Sequence, residues 1–359
     1  MAQDLGRGVL LRGTVWPGGT AEAFEGVVVV DGSGDVAYLG PDAAMPDDLP
    51  VLGGAGAWIG PGVVDAHVHL AFGSVDACLP AGLVGVRDLG APSTAAGDWR
   101  TGSGAPVGAR PFVAVAGPIL TAAGGYPSRT WGADGFASFV SSPDNARDTV
   151  RRLCADGVDV VKIALEPGAD AWPVPPPDVV RAVVDAAHDA GLAVVAHALS
   201  AEMVRRALDG GVDELAHTPT ELLPEDLVDR IAAAGVSVVS TLQTFFCNGV
   251  GPHAAANAEA LHRVGVTLRY GTDLGNAGTV PGVDPRELDR LADAGLGRHG
   301  ALRAATESSA RAPGMRGRSG RLHVGEPAAL VVLSADPIAE PEAWRAPLAI
   351  LADGRLMTN

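Results

Sequence analysis

Short runs of apolar residues recur along the chain between residue 60 and about residue 312, and amphipathic stretches separate them. A run in which nearly every residue is apolar is typical of a parallel strand that is covered on both faces. The runs lie at 63–68, 83–88, 112–116, 158–164, 192–196, 212–216, 236–240 and 266–270. Helix-like stretches lie at 143–156, 177–190, 201–209, 224–234, 254–264 and 285–294. This alternation predicts an α/β fold, and eight such strands fit a closed (β/α)8 TIM barrel better than an open sheet.

A different strand pattern marks both ends of the chain. The apolar run at 26–30 leads into the turn sequence Asp31-Gly32-Ser33-Gly34. Strand-like runs return at 320–322, 328–333 and 348–351, followed by a turn at Asp353-Gly354. Because the two strand-rich ends flank the barrel, we expect them to pair into one small β-domain. The predicted division is residues 1–59 plus 320–359 for the β-domain and 60–319 for the barrel.

Composition and charge exclude several classes of function. The chain is 47% hydrophobic and 19% charged, and its net charge of -16 argues against nucleic acid or an anionic membrane as a partner. No apolar run approaches the roughly 18 residues of a membrane span, and no GxGxxG for a dinucleotide follows a strand. The three cysteines show no CxxC spacing, so we expect a cytoplasmic protein without a disulfide framework.

Lysine usage singles out one residue. Of the 26 basic side chains only Lys162 is a lysine, and the other 25 are arginines. A buried lysine can lose its proton near neutral pH, whereas an arginine cannot. Lys162 lies in the apolar run 158–164, so it is a candidate for chemistry; the structural alternative is a lysine that reaches solvent or pairs with a nearby aspartate.

Four histidines and one aspartate fall at the ends of predicted strands. His67 and His69 point to the same face of the first barrel strand, because side chains at i and i+2 share a face. His197, His217 and Asp273 follow the fifth, sixth and eighth strands, and Lys162 lies near the end of the fourth. Active sites of (β/α)8 barrels form at these carboxyl-terminal strand ends. The other five histidines are interpreted as surface residues: His188, His253, His262, His299 and His323.

These residues together resemble the amidohydrolase superfamily, over nearly the whole chain. The stretches that carry the resemblance are Pro61-Gly62-Val63-Val64-Asp65-Ala66-His67-Val68-His69, Gly85-Val86-Arg87-Asp88-Leu89-Gly90, Asp159-Val160-Val161-Lys162-Ile163, Tyr270-Gly271-Thr272-Asp273 and Ala301-Leu302-Arg303-Ala304-Ala305-Thr306. The resemblance is strongest to the branch with prolidase-like carboxypeptidases and imidazolonepropionases. It implies that the terminal segments form a composite β-sandwich and that the protein assembles as a homo-oligomer.

The resemblance also implies a metal centre. A carbamylated Lys162 would bridge two divalent metal ions, one held by His67, His69 and Asp273 and the other by His197 and His217. Nitrogen and oxygen ligands without cysteine favour Zn²⁺, with Mn²⁺, Co²⁺ or Fe²⁺ as alternatives. Asp273 would be the catalytic residue that takes a proton from the attacking hydroxide and delivers it to the leaving amine.

The chain departs from the family pattern after the third strand, where many relatives have Gly-Gly-His. Here the sequence is Gly124-Gly125-Tyr126, followed by Pro127-Ser128-Arg129. We interpret Tyr126 and Arg129 as substrate contacts, since the guanidinium fork suits a carboxylate. Ala216 also stands where a glutamate often precedes the strand-six histidine.

The favoured function is hydrolysis of an amide C–N bond, linear or cyclic, in a small-molecule substrate that is peptide-like or resembles an N-acyl amino acid. Peptide tailoring in a natural-product pathway is a specialised form of this hypothesis. Two alternatives stay open. A heterocycle deaminase of the same superfamily usually uses one metal and lacks the bridging lysine, which Lys162 argues against. A non-enzymatic scaffold typically loses metal ligands, whereas all six candidates remain here.

Overall fold

Eight parallel strands form a barrel in this computed structural model, which describes residues 2–42, 48–101, 110–168, 170–315 and 320–358. The strands in chain order are β1 Ala2–Asp4, β2 Gly8–Val15, β3 Phe24–Asp31, β4 Val36–Gly40, β5 Val51–Pro61, β6 Val63–Val68, β7 Leu83–Asp88, β8 Phe112–Val115, β9 Ile119–Thr121, β10 Ala137–Phe139, β11 Val161–Ala164, β12 Val194–His197, β13 Glu214–Leu215, β14 Ser237–Val239, β15 Leu268–Arg269, β16 Leu330–Leu333, β17 Ala349–Ala352 and β18 Arg355–Thr358. The α-helices are α1 Val75–Cys78, α2 Ser93–Thr101, α3 Pro143–Ala155, α4 Pro177–Asp189, α5 Ala201–Gly210, α6 Glu225–Ala233, α7 Leu242–Cys247, α8 Gly251–Arg263, α9 Pro285–Leu291 and α10 Gly297–Arg303.

Backbone hydrogen bonds close the barrel. Strands β6 to β8 pair in sequence order, and so do β11 to β15. Asp159 N donates to Val115 O at 2.9 Å and joins β8 to the segment before β11. Ala66 N donates to Tyr270 O at 3.0 Å and joins β6 to the end of β15. The predicted (β/α)8 barrel is therefore confirmed, with each predicted run contributing one of its strands.

The structure differs from the sequence prediction at three places: it has two short strands that were not predicted, and one predicted strand is not formed. Strands β9 and β10 were not predicted; each has three residues, β9 pairs with β11, and β10 pairs with β9 at the edge of that sheet. The predicted strand at 320–322 is wrong, because these residues form bends and an irregular segment. Leu322 is nevertheless buried in the core of the β-domain, which explains its apolar character.

Local sequence signals set the helix ends. Helix α3 begins after Ser142, whose hydroxyl accepts a hydrogen bond from Asn145 N at 3.2 Å, with Pro143 at the first helical position. Helix α5 ends at Gly211, which has a φ of 87° that a residue with a side chain rarely adopts. The buried residues of α4 recur at helical spacing and pack on the barrel.

The two ends of the chain pair into one β-rich domain, as expected. All eight of its strands join a single hydrogen-bonded sheet in the order β1-β18-β17-β16-β5-β2-β3-β4, where the sequence interpretation described a sandwich. Strand β16 shows how the sheet meets the barrel: Leu330 and Val332 belong to the core of the β-domain, whereas Val331 and Leu333 pack into the barrel core. This alternation follows from the two-residue period of a strand. The division at residues 59/60 and 319/320 stays a prediction.

The described helices are all too short or too polar to cross a bilayer.

Candidate metal centre

A cavity of about 400 Å³ opens at the carboxyl-terminal ends of the barrel strands. Five of the six predicted metal ligands line it, namely His69, Lys162, His197, His217 and Asp273. The sixth, His67, is fully buried directly beside them. The predicted ligands lie close together in the structure, as expected for residues at the carboxyl-terminal ends of barrel strands.

The tightest group of donor atoms consists of His67, His69 and Asp273. The Nε2 atoms of His67 and His69 lie 3.3 Å apart, and each is 3.4 Å from Oδ1 of Asp273. Together they are the only described set of three histidine, cysteine or acidic side chains close enough to share a cation. Two imidazole nitrogens and a carboxylate are ligands suited to Zn²⁺ and similar divalent metals. This part of the chain can hold a metal ion.

Hydrogen bonds orient the histidine rings. His67 Nδ1 lies 2.8 Å from the carbonyl oxygen of Ala216, so Nδ1 carries the proton and the Nε2 lone pair points to His69 and Asp273. His217 Nδ1 lies 2.9 Å from Oγ1 of Thr241. Burial lowers the pKa values of His67 and His217 well below the ordinary value, and neighbouring positive charges add to both shifts. Both rings are therefore neutral, as metal ligands must be.

Asp65 ties the first and last barrel strands together behind the histidines. Its Oδ1 accepts hydrogen bonds from His67 N at 3.0 Å and Thr272 N at 3.1 Å, and its Oδ2 accepts one from the Thr272 hydroxyl at 2.6 Å. Burial raises the pKa of Asp65 to about 7. Because Thr272 precedes Asp273, the same carboxyl group positions backbone on both sides of the donor cluster.

Lys162 and His197 complete the cavity floor. Lys162 is buried, and its Nζ has no hydrogen-bond partner among the described residues. Burial lowers the pKa of Lys162 to about 7, although the nearby Asp273 carboxylate opposes part of the shift. Burial also lowers the pKa of His197 to about 3, and the charge of Lys162 contributes. The His197 and His217 ring centroids are 4.8 Å apart. A lysine in this setting can be an unprotonated amine at neutral pH.

Buried polar atoms that lack a hydrogen-bond partner indicate whether a metal ion fits among these residues. His69 Nδ1, Lys162 Nζ and Asp273 Oδ1 are buried and lack a hydrogen bond within the described part of the chain. Buried polar atoms are normally satisfied, so three orphans in one cavity indicate a missing partner. A cation between His67, His69 and Asp273 would supply that partner for Asp273, and the donor set therefore fits a divalent metal.

A buried ion-pair network supports the site from inside the barrel. The Glu214 carboxylate pairs with Arg87 through Oε1 and with Arg269 through Oε2 at 2.7 Å, and Ser237 Oγ donates to Oε2 at 2.8 Å. Arg87 Nε also donates to the Ala66 carbonyl at 2.8 Å, which holds the backbone next to His67. Burial opposes ionisation of Glu214, but the two guanidinium groups outweigh it, so the pKa lies below its usual value.

The two predicted substrate contacts have different outcomes. Tyr126 lines the cavity, and its ring stacks on His197 with centroids 4.8 Å apart. Arg129 is exposed and does not belong to the described lining. Its guanidinium lies against Gly124, where an added Cβ would come within 2.8 Å of Nη2. The prediction that Arg129 points to the substrate is therefore not supported by its position.

Sequence reasoning missed other residues of the cavity wall. Glu166 lines the cavity together with Lys162 and Ala164, continuing the two-residue period of β11 into the following loop. That period is a signal that could have identified it. The aromatic side chains of Phe72, Trp131 and Phe245 come from a short 3-10 helix, a turn region and helix α7, so no spacing in the sequence connects them.

Comparison with known proteins gives consistent results. The sequence profile of the amidohydrolase family matches residues 58–356. An imidazolonepropionase of Cupriavidus metallidurans is 48% identical over 52 residues, which are 14% of this chain and only 12% of that protein. A solved Xaa-Pro dipeptidase with bound methionine in its active site superposes with a TM-score of 0.84 at 20% identity, over 98% of this chain and 100% of that chain. A prolidase complexed with N-methylphosphonate-L-proline gives a TM-score of 0.82 at 23% identity, with the same coverage. At these identities the structural matches show the fold.

Proposed function

The chain belongs to the amidohydrolase family of hydrolases that act on carbon–nitrogen bonds, and we propose that it hydrolyses an amide bond in a peptide-like or N-acyl amino acid-like small molecule. The observation that carries this proposal is the buried group of His67, His69 and Asp273 at the carboxyl-terminal mouth of the barrel. A cavity of about 400 Å³ beside these donor atoms is large enough for a substrate of this size.

Two divalent metals, most simply Zn²⁺ with Mn²⁺, Co²⁺ or Fe²⁺ as alternatives, form the proposed cofactor. His67, His69 and Asp273 would hold one of them, and His197 and His217 would hold the other. When bound, the metals would lower the pKa of a water molecule and polarise the substrate carbonyl.

Lys162 is the proposed bridge between the two metals. Its Nζ is buried without a hydrogen-bond partner among the described residues, next to the histidines. Attack of the unprotonated amine on CO₂ forms a nitrogen–carbon bond, and loss of one proton leaves a carbamate with two oxygen ligands. This reaction replaces the buried amine with an anion, which would offset the positive charge of metal ions bound among the histidines.

Asp273 is the proposed proton carrier. Its Oδ1 faces His67 and His69, and its Oδ2 lies 4.0 Å from His217 Nδ1, so the carboxylate stands between the histidines at the cavity floor. It would accept the proton of the attacking water and deliver that proton to the nitrogen of the leaving amine. The backbone of Asp273 has a φ of 54°, which the hydrogen bond from Asp273 N to His67 O at 2.9 Å helps to fix.

An amide hydrolysis assay with Asp273→Asn tests the proposal. The purified protein, supplied with Zn²⁺, is assayed by following release of free amines against a panel of dipeptides, N-acyl amino acids and aminoacyl alkylamides, the last of which lack a carboxylate. We expect turnover by the wild-type protein and a loss of about 10²-fold or more in kcat for the variant, with a smaller effect on KM. Turnover that is unchanged in Asp273→Asn would contradict the assigned role, and release of ammonia from heterocycles alone would favour a deaminase.

A further inference from the structure

The cavity wall is rich in aromatic side chains. Four of the 16 aromatic residues of the chain line it, namely Phe72, Tyr126, Trp131 and Phe245. Trp131 Nε1 donates to the Tyr126 hydroxyl at 3.1 Å, and Phe72 meets the Trp131 ring edge-on with centroids 5.6 Å apart. Phe245 stands beside His217. Aromatic walls favour an apolar or aromatic group, and their faces also attract cations.

Apart from the proposed metal site, which includes Lys162, none of the described residues of this wall offers a basic side chain to bind a substrate carboxylate. The chain contains 25 arginines, yet none of the described lining residues is an arginine. Arg129, the arginine predicted from sequence as a substrate contact, is exposed and packs against Gly124. A site built to recognise a free carboxylate normally presents a guanidinium fork or another cation.

Glu166 supplies a negative charge instead. Its Oε2 accepts hydrogen bonds from Leu199 N at 2.9 Å and Ser200 N at 3.3 Å, so backbone groups fix the carboxylate at the cavity edge. No cationic group of the described residues lies within ion-pair distance of it. A held carboxylate without a counter-ion, next to aromatic faces, is an arrangement that binds an ammonium group.

We propose that this cavity selects substrates with an aromatic or large apolar group and a free amine, and disfavours those with a free carboxylate. This inference rests on the proposed function and narrows it, because it favours amine-bearing amides over N-acyl amino acids. Phe72, Tyr126, Trp131 and Phe245 would hold the apolar group, and Glu166 would pair with the ammonium. Glu166 is thus a specificity-determining residue rather than a catalytic one.

Binding of three matched probes tests the proposal without turnover. 2-Phenylethylamine is a cation, 2-phenylethanol is neutral and 3-phenylpropanoate is an anion; all three carry the same 2-phenylethyl group, and none has an amide bond to hydrolyse. Their dissociation constants are measured by calorimetry on the full chain loaded with Zn²⁺. We expect the cation to bind at least about tenfold tighter than the anion, a difference typical of one partly buried charged hydrogen bond.

Three variants separate the contributions of Glu166, Arg129 and Phe72 to the binding of the probes. Glu166→Gln keeps an oxygen for Leu199 N and removes the charge, so the preference for the cation should fall several-fold. Arg129→Ala should change none of the three dissociation constants. Phe72→Ala should weaken all three probes by a similar factor and leave their ratio unchanged, because its contact is apolar.

The outcomes distinguish this inference from the proposed function. Tighter binding of 3-phenylpropanoate, especially if Arg129→Ala abolishes it, would overturn the inference. A cation preference that survives in Glu166→Gln would also overturn it, since the ammonium group would then be recognised elsewhere, and so would a failure of all three probes to bind. The expected binding pattern combined with no amide turnover would support the inference and count against the proposed hydrolysis.

Discussion

Replacement of Glu214 by glutamine should destabilise the fold by about 3–5 kcal/mol, because it leaves two buried guanidinium groups without their shared anion. Arg87 is fully buried and the Arg269 side chain is 11% exposed, so water cannot replace the lost charge. For 359 residues the unfolding entropy near 60 °C is about 0.75 kcal/mol/K. The expected decrease in the melting temperature is therefore about 4–7 °C.

The pH dependence of the folding stability provides a second test of this prediction. The pKa of Glu214 is lower in the folded state than its ordinary value of 4.5, so the carboxylate stabilises the fold above that value. This stability is lost as the pH falls through the folded pKa. Calorimetric melting curves of wild type and Glu214→Gln should therefore differ by a constant amount above about pH 5.5 and converge under more acidic conditions.

A surface pair provides the control. Arg230 Nη2 lies 2.6 Å from Asp209 Oδ1, with side chains 47% and 61% exposed. Asp209→Asn should cost less than about 1 kcal/mol, or roughly 1 °C. If Glu214→Gln melts within 1 °C of the wild type, or if its effect does not change with acid, the reasoning about the buried network is refuted.

Two further predictions concern groups near the site. Thr241→Ala removes the partner of His217 Nδ1 at 2.9 Å and should weaken metal binding by about 10–100-fold, measured by competition with a chelator; unchanged affinity would show that the hydrogen bond does not orient the ring. Glu287 is buried and its pKa is raised to about 8, so its contribution to stability is greatest below pH 4.5 and is lost as the pH rises through about 8. Melting temperatures from pH 6 to 9 should therefore fall more steeply for the wild type than for Glu287→Gln, and parallel curves would contradict the assignment.

The barrel could be predicted from sequence because its strands are buried on both faces. The predicted bounds of the first two barrel strands agree with β6 and β7 at every residue. The later barrel strands are two to four residues long, shorter than the corresponding apolar runs, because the runs extend beyond the ladder hydrogen bonds at one or both ends. Strands β9 and β10 were missed because three residues give too little periodicity.

The convergence of the candidate metal ligands could also be predicted from sequence, because strand ends converge in a closed barrel. His67 and His69 follow the two-residue period, and Asp273 is joined to β6 by its hydrogen bond to His67 O at 2.9 Å. The aromatic residues that line the cavity could not be predicted from sequence in the same way. They come from three segments far apart in the sequence, and Arg129, predicted as a substrate contact from its residue type, is exposed outside the described lining.

Metal analysis of the wild type and Lys162→Ala tests the central claim most directly. Both proteins are expressed with added Zn²⁺ and bicarbonate, checked for folding by circular dichroism and analysed for bound metal. The account predicts about two metal ions per chain in the wild type and a clear decrease in the variant, because the bridging ligand is lost. A single metal ion whose content does not change in Lys162→Ala would contradict the carbamate-bridged centre.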